Sequence, residues 1–122
     1  MENRLLDLTE QLLSLNEEAY HYYMNTTKQA EHDADFYQTV KPFSDRLLPL
    51  AEEWKEQSFT FIETRAPKYL HKQQVEDAFE NLQFVAVFAF QKDTKERRFT
   101  GLVRSIQYTL DIVKDRLDQE NL

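Results

Sequence analysis

Glu18-Ala19-Tyr20-His21 puts a carboxylate three residues before an imidazole. On a helix that spacing is half of a di-iron carboxylate signature; the whole centre needs a second such pair and one Glu from each of two further helices. The chain has three histidines, and neither His32 nor His71 has a Glu three positions earlier, because those places hold Gln29 and Lys68. On a helical wheel His21 shares the polar side with Glu17, so a solvent-facing pair is expected. A three-histidine centre would require His21, His32 and His71 to converge, and nothing in their spacing brings them together. The absence of cysteine removes disulfides, thiolate ligands and a catalytic thiol. No catalytic, cofactor-binding or metal-binding residue is assigned, and no cofactor is expected.

Two basic clusters offer a different chemistry. Lys68, His71 and Lys72 form one, and Lys92, Lys95, Arg97 and Arg98 the other. If a helix of about twenty residues separates them, they lie about 30 Å apart at opposite ends. Nucleic-acid binding calls for one continuous basic face. The net charge is -7, and residues 1–61 carry all of it, with five Lys/Arg against twelve Asp/Glu. An acidic half repels phosphate backbones and anionic lipid. Neither a nucleic acid nor a membrane is expected as a partner. A basic protein remains possible.

Thr9, Asn16 and Tyr23 recur every seventh residue on an otherwise apolar face. Such groups either line a pocket, here with Tyr22 and Trp54, or fix helix register by finding a buried partner. The structural role is the expectation, since an unpaired polar group there costs about 1–3 kcal/mol.

These residues must be positioned by helices. One glycine and three prolines in 122 residues are too few for a β-fold with turns every eight to twelve positions. Leu5, Leu8, Leu12, Leu15, Ala19 and Tyr22 follow a three-four spacing, predicting a first helix to about Thr27 and a polar connection over 25–35. Phe36, Val40, Phe43, Leu47, Leu50, Trp54, Ser58 and Phe61 share a second stripe, interrupted by Pro42 and Pro49. An interior proline costs about 3 kcal/mol, so a short helix over 34–41, a break, and a main helix over 49–64 are expected. Val75, Phe79, Leu82, Ala86, Ala89 and Phe90 predict a third helix over 73–92. Its Val85–Phe90 run also fits a buried strand, but the helical stripe passes through it in phase. Phe99, Leu102, Val103, Ile106, Leu110, Val113 and Leu117 predict a fourth. Gly101 falls near its start, where it does little harm.

Apolar side chains on the wrong faces are the most informative anomaly. Phe84 and Phe88 lie opposite the core stripe of the third helix, four residues apart and therefore neighbours. Tyr108 and Ile112 repeat the arrangement on the fourth. A monomer would not ordinarily leave such a patch wet. Either the Phe36–Phe43 segment folds over these four or another chain, including a second copy, covers them. The first is the expectation.

Three stretches carry a family resemblance: Val40-Lys41-Pro42, then Arg65-Ala66-Pro67-Lys68-Tyr69-Leu70-His71-Lys72, and Arg97-Arg98-Phe99 leading into Tyr108-Thr109-Leu110. The chain resembles the YppE-like family of small proteins from Bacillus-type bacteria along nearly its whole length. The resemblance implies an all-helical bundle in a bacterial cytoplasm. The family is a domain of unknown function, so no site residues transfer from it.

The sequence thus predicts one all-α domain over residues 1–122, an antiparallel four-helix up-and-down bundle with an additional short helix between helices 1 and 2. The N-terminus lacks a secretory leader, and the longest apolar run, Phe84–Phe90, is too short to span a bilayer. A cytoplasmic, non-enzymatic bundle that binds another protein, or itself, is the leading expectation. The alternative is a small-molecule or metal-dependent enzyme in a four-helix scaffold, using His21, His71 and nearby carboxylates.

Overall fold

The computed structural model describes residues 2–120. Four helices form the frame: α1 (Glu2–Asn25), α2 (Lys41–Arg65), α3 (Lys72–Phe88) and α4 (Glu96–Glu120). A 3₁₀ turn (Thr27–Gln29) and a π-helical turn (Phe36–Val40) lie in the α1–α2 connection. Each helix packs on two neighbours, α1 and α3 both lying between α2 and α4. Short loops join α2 to α3 and α3 to α4, which makes those pairs antiparallel. Among the described residues every regular element is helical, as the periodicity requires.

The stripes read from the sequence meet in one core. Leu12, Leu47, Trp54, Leu82, Ile106 and Leu110 are fully enclosed. Three positions shift by one residue, Ala51 being buried where Leu50 was expected. Tyr23 is buried where Tyr22 was expected, and Ala78 takes the place of Phe79, which is half-buried beneath the Lys55 ammonium at 4.7 Å. A long charged side chain lying across a ring keeps its head in water while its stem covers apolar surface.

The break expected before Pro49 does not occur. Lys41–Arg65 is one helix, with Pro42 in its first turn and Pro49 inside it. Pro42 is harmless there, since the first-turn donors have no intrahelical partner. Pro49 deprives the Asp45 carbonyl of its acceptor role, but both residues are on the wet face. Phe43, Leu47, Ala51 and Trp54 are buried on either side of it. Packing across the interruption outweighs the local cost. The short helix is present as the π-helical turn, and it runs into α2 without a gap.

The third helix stops at Phe88, four residues before the expected end. Its end is held by one nearby hydroxyl and by groups of the α1–α2 connection. Thr94 Oγ1 donates to the Phe88 carbonyl at 2.7 Å and Thr27 Oγ1 to that of Ala89 at 2.5 Å. The Ala34 N–H donates to the Phe90 carbonyl at 3.0 Å, and the Lys92 N–H to Asp33 Oδ1 at 2.8 Å. The α1–α2 connection therefore straps the end of α3, satisfying carbonyls that a helix end leaves open. Ala89 and Phe90 turn inward into the core.

Candidate functional site

The α1 polar residues are structural. The Trp54 indole N–H donates to Thr9 Oγ1 at 3.1 Å, and that hydroxyl donates to the Leu5 carbonyl at 2.7 Å. Asn16 Nδ2 donates to the Val103 carbonyl on α4 at 3.0 Å, and the Tyr23 hydroxyl to that of Thr94 at 2.7 Å. All three side chains are buried, and each ties α1 to another part of the chain. Burial also pushes the Tyr23 phenol above its ordinary pKa. Among the described residues, Asn16 Oδ1 and Ser58 Oγ have no protein partner.

Glu18 and His21 part company. Glu18 accepts both terminal nitrogens of Arg46 on α2, at 2.9 and 3.0 Å, and this pairing holds the guanidinium above its usual pKa. His21 Nε2 instead lies 3.5 Å from Glu17 Oε1, and both side chains are exposed. His32 sits exposed in the α1–α2 connection and His71 at the start of α3, where its N–H donates to Gln74 Oε1 at 2.7 Å. Among the described residues no three His, Asp or Glu side chains cluster as metal ligands would. An open groove of about 510 Å³ lies between α1 and α4. Asn16, Glu17, Tyr20, His21, Arg104 and Asp111 are among its walls.

The two basic clusters lie at opposite ends of α3, about 26 Å apart for a helix of this length. Lys72 is occupied by Glu63 at 2.6 Å and also lies 5.5 Å from the Phe59 ring. Arg98 lies over the Phe88 ring at 5.1 Å. Tyr69 and Leu70, in the loop before α3, divide their tasks. Leu70 enters the core, whereas Tyr69 is exposed at φ 68° with the Arg116 guanidinium 5.5 Å from its ring.

The outer face of α3 and α4 remains. Phe84 and Phe88 stack with centroids 5.7 Å apart and planes 5° from parallel. Phe84 is 37% exposed, Val87 44% and Tyr108 65%, while Phe88 and Ile112 are half-buried. The expectation that Phe36–Phe43 covers this face is corrected. Phe36 and Tyr37 are themselves exposed, packed edge-on against each other at 5.1 Å. The reason is the strap, which carries the segment to the end of α3 and then into α2. Val87 was missed; it falls between Phe84 and Phe88 and belonged to neither stripe.

Residues 9–117 match the model of a bacterial domain of unknown function, DUF1798. The uncharacterized protein YppE of Bacillus subtilis strain 168 is 32% identical over 117 residues, covering 96% of this chain and 94% of YppE. The crystal structure of B. subtilis YppE superposes with a TM-score of 0.92 at 31% identity, covering 99% of this chain and 98% of that one. A Listeria innocua protein of unknown function gives 0.89 at 33% identity, with 98% and 95% covered. A DUF1798 protein from Staphylococcus aureus gives 0.84 at 27% identity, with 94% and 96% covered. The resemblance in the loop and helix motifs and the bundle architecture thus agree, and this chain belongs to the DUF1798 family.

Proposed function

We propose that this protein is a non-enzymatic helical bundle that acts in the cytoplasm by binding another protein chain through the outer face of α3 and α4. The observation that carries the reading is the stacked Phe84–Phe88 pair beside exposed Val87 and Tyr108. Large apolar side chains grouped on a surface gain from being covered, at about 25 cal/mol for each Å² removed from water. Aromatic residues are also those most enriched where protein interfaces concentrate their binding energy. The separated basic clusters and the acidic first half disfavour a nucleic acid. Among the described residues no helix is long and apolar enough to cross a membrane.

The test is a Phe84→Ser/Tyr108→Ser variant compared with the natural chain in crosslinking and capture from the native bacterium. Both positions are exposed, so circular dichroism should be unchanged while a specifically captured chain is lost. Identical capture by both proteins would remove the reading. A second reading, small-molecule binding or catalysis, draws on the α1–α4 groove and the unpartnered Asn16 Oδ1. Elemental assay of the purified protein, with His21→Ala if metal is present, separates it from the first.

A further inference from the structure

The partner that this face fits can be narrowed from the charge order along α4. Its outward stripe is Arg97, Gly101, Arg104, Tyr108, Asp111 and Asp115, spaced four and three residues alternately, and all six are exposed. That spacing keeps one line facing a neighbouring helix over the whole length. The stripe is polarised. Glu96–Gln107 carries three arginines and one glutamate, a net +2, whereas Tyr108–Glu120 carries four acids and two bases, a net -2. Among the described residues, Arg97, Arg104, Asp111 and Asp115 form no ion pair within the chain.

A line that is basic at one end and acidic at the other complements itself when reversed. We infer that the outward ridge of α4, flanked on one side by the aromatic face shared with α3 and on the other by the α1–α4 groove, is an isologous interface, in which α4 packs antiparallel on α4 of a second copy of this chain about a two-fold axis level with Ile106. This inference rests on the reading of the face given above. In that register Arg97 meets the partner's Asp115, Gly101 meets the partner's Asp111, and Arg104 meets the ring of the partner's Tyr108. Every pair occurs twice by symmetry. A parallel arrangement would set Arg97 on the partner's Arg97 and Asp115 on the partner's Asp115. Like charges forbid it. Apart from its chain neighbours and the backbone of its own helix, no described atom lies within 4 Å of where a Cβ at Gly101 would stand, so the backbone there is open to close approach.

The same axis gathers the aromatic residues. The Arg98–Phe88 contact at 5.1 Å fixes the height of α3 against α4. One turn along, Phe84 is level with Leu102, since the helices are antiparallel. Across the axis that level falls between the partner's Tyr108 and the partner's Ile112. The two-fold also keeps corresponding flanks on one side, so Phe84, Phe88, Tyr108 and Ile112 from both copies line one edge of the seam. A polar helix seam alone falls short of the roughly 1,000 Å² that marks a specific interface. The aromatic edge supplies the remainder, and the dimer is sensitive to salt.

Sedimentation equilibrium of the full chain tests this. Dimerisation should weaken as salt rises. Arg97→Glu or Asp115→Arg alone should weaken it about tenfold, because each breaks two symmetric pairs and creates two repulsions. Arg97→Glu combined with Asp115→Arg should restore it to within about threefold of the natural chain. All these positions are exposed, and unchanged circular dichroism controls for folding. A monomer at millimolar concentration, reversals without effect, or a double reversal that fails to restore the dimer would each overturn the inference. If the chain is monomeric and yet captures a different protein in a Phe84-dependent way, the second copy is wrong and the reading of the face survives. If capture is also indifferent to Phe84 and Tyr108, both fail.

Discussion

Thr9 is a polar residue that the interior requires. It accepts the Trp54 indole N–H where both side chains are fully buried, and it anchors itself to the Leu5 carbonyl. Thr9→Val keeps the shape and removes the acceptor, which strands a buried donor. Unfolding in urea should show a loss of about 1–3 kcal/mol. In a Trp54→Phe background the same substitution should cost less, because the stranded donor disappears with the indole. That Thr9, Asn16 and Tyr23 would be enclosed could be seen in their seven-residue spacing. Their partners could not be, since Val103 and Thr94 are 87 and 71 residues away in the chain. The separation of Glu18 from His21 was hidden for a similar reason. Spacing placed the two on neighbouring parts of one helix, but Arg46, on another helix, takes the carboxylate.

Helix ends show most clearly where local rules hold and where they fail. The end of α2 follows them: Ala66 adopts the left-handed conformation (φ 45°), its N–H donates to the Ile62 carbonyl at 3.0 Å, and Pro67 follows. A residue with a Cβ is disfavoured there, and glycine is the usual occupant. Ala66→Gly should raise stability by about 0.5–1 kcal/mol, the relief of strain being reduced by the freer unfolded chain. A urea midpoint that falls instead would show that the cap is not strained. The end of α3 is set only partly by nearby residues: Thr94 takes the Phe88 carbonyl, but those of Ala89 and Phe90 are met by Thr27 and Ala34 of the α1–α2 connection. The uninterrupted α2 teaches the same lesson from the other side. Pro49 is a local reason to stop, overruled by Leu47 and Ala51 lying at zero exposure beside it.

At the scale of the molecule, the bundle is laced by ion pairs between helices. Arg4 on α1 meets both carboxylate oxygens of Glu53 on α2 at 2.7 Å, which holds the Glu53 carboxyl below its ordinary value. A depressed carboxylate stabilises the fold above its unfolded-state pKa and loses that contribution as pH falls through the folded one. The melting temperature of Glu53→Gln should therefore lie below that of the natural chain near neutrality, and the gap should close in acid. A gap independent of pH would show that the ion pair contributes nothing. The four stripes and their common core were readable because 3.6-residue periodicity records burial directly. The uncovered face of α3 and α4 was not, because whether Phe36–Phe43 lies over it depends on where the connection is fastened. That fastening has a further consequence. A single nick between Asp33 and Phe36 would leave α3 covalently intact but loosen the Asp33 and Ala34 contacts just beyond its final turn, so damage to the first half of the polypeptide would be felt as fraying in the second.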